Sequence, residues 1–343
     1  MKRKIILSLA LVICISVVMV GCAKDEVKTG AGYPTKPITM IVPYGAGGTT
    51  DLTGRQLAIQ MEKQLGQSIT VVNQAGASGS VGAKTVLDAN PDGYTIFFTA
   101  ESLGTQRVMG LSEMSYADFS PIMLTVNDPK VIVVSKNSEY NTLQDLIDDI
   151  MARPGKVKMS YTGPGGSGHV QSLIYSMFDM ELALTAYSGG NEAIVAVLGD
   201  QVEFTNSNYS TVKNYIVGGE LKLLGISSNE KLADYPDVPT LSEIIPESEE
   251  YMGIAFTPLS LIVDKDVPQD IQQILMDATK KSVEQEEWVT FVADNSLEKL
   301  YEKYPDKDSM IKFYSEWESL VSWLIFDAGA APNSPEKFAI PRP

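Results

Sequence analysis

The apolar positions along this chain switch repeatedly between two periods. Ile38, Met40 and Val42 alternate toward Pro43, as in a strand of a buried sheet. Gly45, Gly47 and Gly48 then release the backbone, and the cap-type residues Thr49, Thr50 and Asp51 predict a helix whose apolar face is Leu52, Leu57, Ala58 and Met61. The same strand–glycine loop–helix grammar recurs. Ser68 to Asn73 reads as a strand, Gln74 to Gly82 as a second glycine loop, and Ala83 to Ala89 as a helix. Tyr94 to Thr99 is a third strand, ending in Ala100-Glu101-Ser102.

Val131 to Ser135 opens a second series. Thr142 caps a predicted helix to about Ala152, Val157 to Tyr161 is a strand, Gly163 to His169 a third glycine loop and Val170 to Phe178 a helix. Strands follow at Leu182 to Tyr187, Val202 to Thr205 and Leu221 to Ser227, with a helix to about Leu198 between the first two. Beyond Asp234 the texture changes. Met252 to Val263 is apolar and strand-like, Pro268 opens a helix to about Gln285, and Lys307 to Phe326 is a long amphipathic helix. Trp288, Trp317 and Trp323 read as core or helix-face residues, and the tail from Ala328 as an irregular strap or a disordered segment. Strands alternating with helices argue for parallel α/β layers.

The N-terminus has a different pattern. Lys2, Arg3 and Lys4 precede an apolar run from Ile5 to Val20, too short for the roughly 20 residues a membrane span needs. MVGC, Met19 to Cys22, resembles a bacterial lipoprotein processing box, although Met19 stands where Leu is usual. This implies cleavage before Cys22, a lipid on its sulfur, and a signal peptide over residues 1–21; an uncleaved anchor is the alternative. Residues 22–32 read as a tether. The body is expected outside the cytoplasm, held to a membrane.

Composition narrows the chemistry. Cys14 lies in the signal and Cys22 is the expected lipid site, so the folded part has no thiol for a disulfide, a nucleophile or a metal. One histidine, His169, rules out paired-histidine zinc sites. A formal charge of −16, made more acidic by losing the three leader cations, opposes nucleic-acid binding and leaves any anion binding to local backbone N–H groups. Loops that end strands and open helices provide such groups, with the positive helix pole behind them.

Two enzyme-like patterns can be weighed. Gly163, Gly165 and Gly168 fit G-x-G-x-x-G, but the next strand ends at Tyr187-Ser188 with no acid for a ribose until Glu192. Ser167 and His169 could form a hydrolase pair, yet no G-x-S-x-G elbow surrounds a serine. Two residues apart at a helix start, they suit joint donation to a bound group, and a structural histidine is the plainer alternative. A scaffold lipoprotein with no ligand is a third.

The ordered segments YPTKPITMIVPYGAGGTTD, VVNQAGASGSVGA, NPDGYTIFF, TLQDLIDDIMARPGKVKMSYTGPGGSGH, AYSGGNEAIVAVLGDQVEF and YPDVPTLSEI resemble the substrate-binding proteins of tripartite tricarboxylate transporters, the Bug receptors. The likeness runs from about Tyr33 to Phe326. It implies a type II periplasmic-binding-protein fold, a Venus flytrap of two α/β domains with crossover hinge strands. Domain one would be 33–127 with 224–343, and domain two 128–223. It further implies a non-enzymatic receptor, expected as a monomer without cofactor, catalytic residue or metal, that delivers a small carboxylate-type or zwitterionic solute to membrane permease subunits.

Carried over by position, Tyr44, Gly45, Ala46, Gly47, Gly48, Thr49, Thr50 and Asp51 would hold one end of the ligand, beside Ala77 and Ser78 and next to Glu101 and Ser102. Ser167, Gly168, His169, Tyr187, Gly189, Gly190, Asn191, Asn206 and Asn208 would meet it from domain two. Asp51 and Arg55, one turn apart, are expected to pair with each other and the loop. Several positions depart from the family. Tyr44-Gly45-Ala46 replaces Phe-Pro-Pro, Ser188 replaces a common Lys, and Glu101 and Glu192 add negative charge. This disfavours a multiply anionic ligand and points to a monocarboxylate, an amino-acid-like zwitterion or a neutral polar compound.

Overall fold

A computed structural model describes residues 32–343 apart from Asn229 and Ala255. The leader, Cys22 and most of the tether lie outside the described residues. Among the described residues two sheets are present, each flanked by helices.

The first sheet contains β1 (Ile38–Val42), β2 (Ile69–Asn73), β3 (Thr95–Thr99), β4 (Phe119–Asn127), a long returning strand Pro258–Asp264 and a short edge pair at Glu298–Lys299. The second contains β5 (Lys130–Ser135), β6 (Lys158–Tyr161), β7 (Ala183–Ala186), β8 (Phe204–Asn208) and β9 (Leu221–Ile226). The returning strand is β10 and the edge pair β11. The orders are β11-β4-β10-β3-β1-β2 and β7-β6-β8-β5-β9.

Both sheets are mixed, which corrects the expectation of parallel layers. β1 runs parallel to β2 and β3, and β6 to β7 and β8. But β10 is antiparallel to β3 and β4, and β5 to β8 and β9. These antiparallel members are where the chain leaves one sheet for the other and comes back. β4 had no counterpart in the sequence reading. All nine of its residues are buried, so its two faces carry no alternation, and Pro121 sits beside a register shift opposite Ile262.

Local signals place most helices. α1 (Thr49–Leu65) buries Leu57, Ala58 and Met61, whereas Leu52 is exposed. α2 is Ser80–Asp88, and α3 (Leu143–Ala152) starts in a capping box of Thr142 and Asp145. α3 buries Leu143, Leu146, Ile147 and Ile150, a stripe at helical spacing. Each such side chain contributes about 1.5–3 kcal/mol of burial. α4 (Ser167–Met177) begins earlier than its pattern suggests, so Ser167, Gly168 and His169 form its first turn. α5 is Gly190–Leu198; α6 (Tyr209–Val217) follows β8 directly, and Asn206 and Asn208 lie within that strand.

Met252 closes a short helix, Glu249–Met252, and the strand expected from there begins only at Pro258. α7 (Gln269–Val283), α8 (Glu286–Asp294) and α9 (Lys307–Asp327) complete the chain. Trp288, Trp317 and Trp323 are buried as expected. α9 touches both β4 and α4, and its Trp317, Val321 and Ile325 join one core with Ile132, Val170 and Ile174. The tail is an ordered strap: the Trp323 indole N–H (2.8 Å) and the Ser319 hydroxyl (2.6 Å) donate to the Pro341 carbonyl.

Candidate functional site

Three helices point their N-termini at one place between the sheets. Their N-caps are Gly48 for α1, Gly166 for α4 and Gly189 for α5, and none provides a side-chain cap. α3 and α9, elsewhere, are fully boxed. A glycine cap leaves first-turn N–H groups without an acceptor of their own, with about half a positive charge of dipole behind them. The cap-type residues Thr49, Thr50 and Asp51 thus lie inside the first turn of α1, and Gly48 holds the cap position.

The three termini meet around a cavity of about 40 Å3 walled by Tyr44, Gly48, Thr49, Thr50, Ala100, Glu101, Thr162, Ser167, Gly190, Asn208, Thr211 and Thr257. Of the residues expected from sequence, Tyr44, Gly48, Thr49, Thr50, Glu101, Ser167, Gly190 and Asn208 line it. Gly45, Gly47, Gly189 and Asn191 stand where the two sides approach. A Cβ on Gly189 would lie 3.3 Å from Gly45, and one on Gly47 would lie 3.8 Å from the Asn191 side chain. Ala46 is exposed on the same loop. The wall does not include Asp51, Ala77, Ser78, Ser102, Gly168, His169, Tyr187 or Asn206.

Several of those residues hold the surrounding frame. Asp51 accepts from the Gly47 amide and Asn73 Nδ2 and pairs with Arg55, each at 2.9 Å, as the i,i+4 spacing predicts. Burial pushes its pKa up, but the Arg55, Gly47 and Asn73 bonds outweigh it, and the net shift is down. Stability from Asp51 is therefore present above the unfolded value near 3.8 and is lost as pH falls through the lower folded value. Asp51→Ala should lower the urea midpoint at pH 7, and the gap to wild type should close as pH drops below 3.8. A pH-independent gap across that window would refute the linkage.

The Tyr44 hydroxyl bonds to Ser102 Oγ, and Ser102 Oγ donates to the Ser78 carbonyl (2.8 Å). Burial, reinforced by Glu101, raises the Tyr44 phenol well above its ordinary range, so it stays a donor. Ala77 and Ser78 hold positive φ of 43° and 47°, which aims Ser78 across the gap, and Ser78 Oγ donates to the Pro164 carbonyl (2.8 Å). Asn206 Nδ2 donates to Tyr175 and Ser227, both at 2.9 Å, behind the wall. The Tyr187 amide donates to the Tyr161 carbonyl as part of the sheet edge.

His169 Nδ1 accepts from the Gly165 amide (3.1 Å), and burial lowers its pKa. Ser167 Oγ accepts from Thr257 Oγ1 (3.3 Å) and makes no hydrogen bond to His169. The Ser–His pair required by a hydrolase is not formed. Among the described residues no group of three His, Cys, Asp or Glu is placed to hold a metal.

Sequence reasoning missed five polar positions at the site. Thr162, Thr211 and Thr257 line the cavity, and a lone threonine gives no pattern to find. Asp128 and Lys130 are different: two charges interrupting the hinge between apolar strands are a visible signal. Asp128, buried, accepts from the hydroxyls of Thr49 and Ser210 and from the Ser210 amide (3.3 Å). Burial raises its pKa against the pull of those bonds and of Lys130. Lys130, also buried, donates to Asn208 Oδ1 (2.9 Å). Burial lowers its pKa, opposed by Glu101 and Asp128.

The two sides thus meet through Ser78–Pro164, through Thr105 Oγ1 donating to the Gly165 carbonyl (2.8 Å), and through the Ser167 amide donating to Glu101 Oε1 (2.6 Å). Such a cleft, walled by loops at the C-terminal ends of strands on both sides, is a ligand site in open α/β folds.

A sequence signature described as "Tripartite tricarboxylate transporter family receptor" matches residues 53–322. The chain belongs to this receptor family. Protein BugT of Bordetella pertussis is 30% identical over 217 residues, 62% of this chain and 67% of BugT. The structure of the periplasmic binding protein BugD superposes with a TM-score of 0.80 at 23% identity, over 87% of this chain and 99% of that one. An R. palustris protein solved with adipate superposes at 0.79 and 22% identity, over 88% of this chain and 100% of that one. These identities establish the fold, a two-domain α/β periplasmic binding protein. Members of this receptor family are solute receptors of a transporter, not enzymes.

Proposed function

We propose that this receptor closes on one small carboxylate-bearing or zwitterionic solute and hands it to permease subunits in the membrane. The observation that carries the reading is the convergence of three glycine-capped helix N-termini on a cavity shared by both sheets. Such termini favour an anionic group by about 0.3–2 kcal/mol per helix without demanding a particular side chain, and at α4 the Ser167 amide is already taken by Glu101. Relatives of the same fold solved with adipate and with malate lend support.

The ligand set expected from sequence, residues 44–51, 77–78, 101–102, 167–169, 187–191, 206 and 208, divides on this reading into a wall and a frame. On this reading the lobes divide at 127/128 and again after β9, since a cut at 224 would fall within that strand of the second sheet. Closure follows from differential affinity: a solute bridging Thr49 and Ser167 binds the shut form more tightly. A monomer tethered through lipidated Cys22 completes the proposal; no helix among the described residues is long and apolar enough to cross a membrane.

Native mass spectrometry of freshly purified protein should reveal a carried-over small molecule. Thermal shift against organic acids and amino acids should give a saturable rise with no turnover. Absence of both would exclude the receptor reading. For the anchor, Cys22→Ala should move the protein from the membrane fraction to the soluble one.

A further inference from the structure

The geometry points to Glu101 as an acidic subsite of the cavity, one that occupies an anion seat with the protein's own carboxylate and thereby selects a solute carrying an amine. This rests on the receptor reading and sharpens it from carboxylate-type in general to amino-acid-like.

Glu101 is only 4% exposed and follows β3 on one side of the cleft. Its Oε1 accepts the Ser167 amide at the start of α4, on the other side. One of the three converging positive helix poles is therefore already neutralised from within the chain. A second carboxylate on the solute would have to compete with Glu101 for that seat, at a distance where like charges repel.

The other oxygen, Oε2, is buried and has no hydrogen-bond partner, although Glu101 lines the cavity. A buried carboxylate oxygen left unmet is costly, and what it needs is an N–H or O–H donor. The buried Lys130 does not supply it; the hydrogen bond its ammonium makes goes to Asn208. Asp128 adds a further buried negative charge, taken up by Thr49 and Ser210. Taken at formal charge, the buried groups Glu101, Asp128 and Lys130 sum to one negative charge, Asp51 being matched by Arg55. A primary ammonium supplies both the missing donor and the missing charge.

The opposite end is of the other sign. The glycine-capped starts of α1 and α5, at Thr49 and Gly190, line the cavity and offer first-turn amides to one carboxylate, while the exposed Glu192 side chain of α5 is turned toward Ser188. A solute with one carboxylate and one ammonium matches this polarity, and a volume of about 40 Å3 suits a compact one.

The test uses isosteric pairs on the purified chain. Calorimetry is run with glycine, L-alanine and L-serine, with L-lactate and glycolate as their hydroxy counterparts, and with succinate, malate, adipate and citrate. An amino acid should bind at least about 100-fold more tightly than its hydroxy counterpart and than any di- or tricarboxylate. Glu101→Gln, which keeps the shape and the bond to Ser167 while removing the charge, should weaken that amino acid at least about 30-fold and narrow the gap to the hydroxy acid. Comparable binding of a hydroxy acid or dicarboxylate to wild type, or amino acid affinity within threefold in Glu101→Gln, would overturn the amine assignment and leave the receptor reading standing. If Glu101→Gln does not fold, the wild-type ranking decides alone. If the panel is silent, native mass spectrometry decides. A carried amine supports the proposal, a carried solute without one overturns it, and no carried solute overturns the receptor reading with it.

Discussion

Gly189→Val should abolish solute capture while leaving both lobes folded. Gly189 has φ −163°, an extended conformation open to any residue, so valine adds no backbone strain within its own lobe. The obstacle lies across the cleft. A Cβ there would stand 2.7 Å from Glu192 Oε2 and 3.3 Å from the Gly45 amide nitrogen and Cα. The Glu192 side chain is exposed and can swing away. The Gly45 backbone is held by its neighbours: Gly47 is tied to Asp51, and Asn73 Nδ2 donates to the Tyr44 carbonyl (3.1 Å). The two methyls of valine then fit only if the lobes stay apart. Affinity should fall about 100-fold or more, since closed-state contacts are lost together. The unfolding free energy without solute should change by only about 0.5 kcal/mol, as for a surface change. Calorimetry for binding and urea titration for stability separate the two. Retained affinity within tenfold of wild type would show that Gly45 and Gly189 need not meet.

Asp128→Ala is expected to be the most destabilising single change near the site. One buried carboxyl holds Thr49 of α1, Ser210 of α6 and the Ser210 amide, and so ties both lobes to the hinge between β4 and β5. Alanine leaves two hydroxyls and one amide without that acceptor and removes a carboxyl whose charge favours the Lys130 ammonium. The loss should be about 3 kcal/mol, typical of removing one member of a buried charged network. The pH dependence has a definite sign. Burial raises the Asp128 pKa above 3.8, so its stabilisation is full below that value and declines as pH rises through the folded value. The gap between wild type and Asp128→Ala in urea should thus be wider at pH 4 than at pH 7. A gap that widens toward neutral pH would mean that the ionised form, not the buried acid, is the better partner. Asp128→Asn, which keeps an acceptor for one hydroxyl, should lose less at pH 7.

How much of this was legible in the residues depends on the range of the interaction concerned. The opening strand and helix, the Thr142 capping box, the Asp51–Arg55 pair and the long amphipathic α9 are local, each fixed by residues within a few positions. They fall where the pattern puts them. β4 is different. Its partners are β10 and β11, more than a hundred residues away, and burial on both faces erases the alternation that marks a half-exposed strand. The expectation of parallel layers failed for a related reason, because strand direction at the hinge depends on how the chain crosses between sheets.

The same division applies to the site. The glycines, the leader pattern and the absence of thiols in the body are sequence facts, and they pointed to anion seats built from backbone amides; the receptor reading came from the family resemblance. Which amides remain free is not among them. Nothing in the order of residues tells that Glu101 reaches 66 positions along the chain to cap α4, or that Asp128 and Lys130 turn inward at the hinge. Hydrogen bonding and desolvation act over a few ångströms of space whatever the separation in sequence. Only the folded arrangement, with two lobes meeting, decided which polar groups are matched within the protein and which, like Glu101 Oε2, are not.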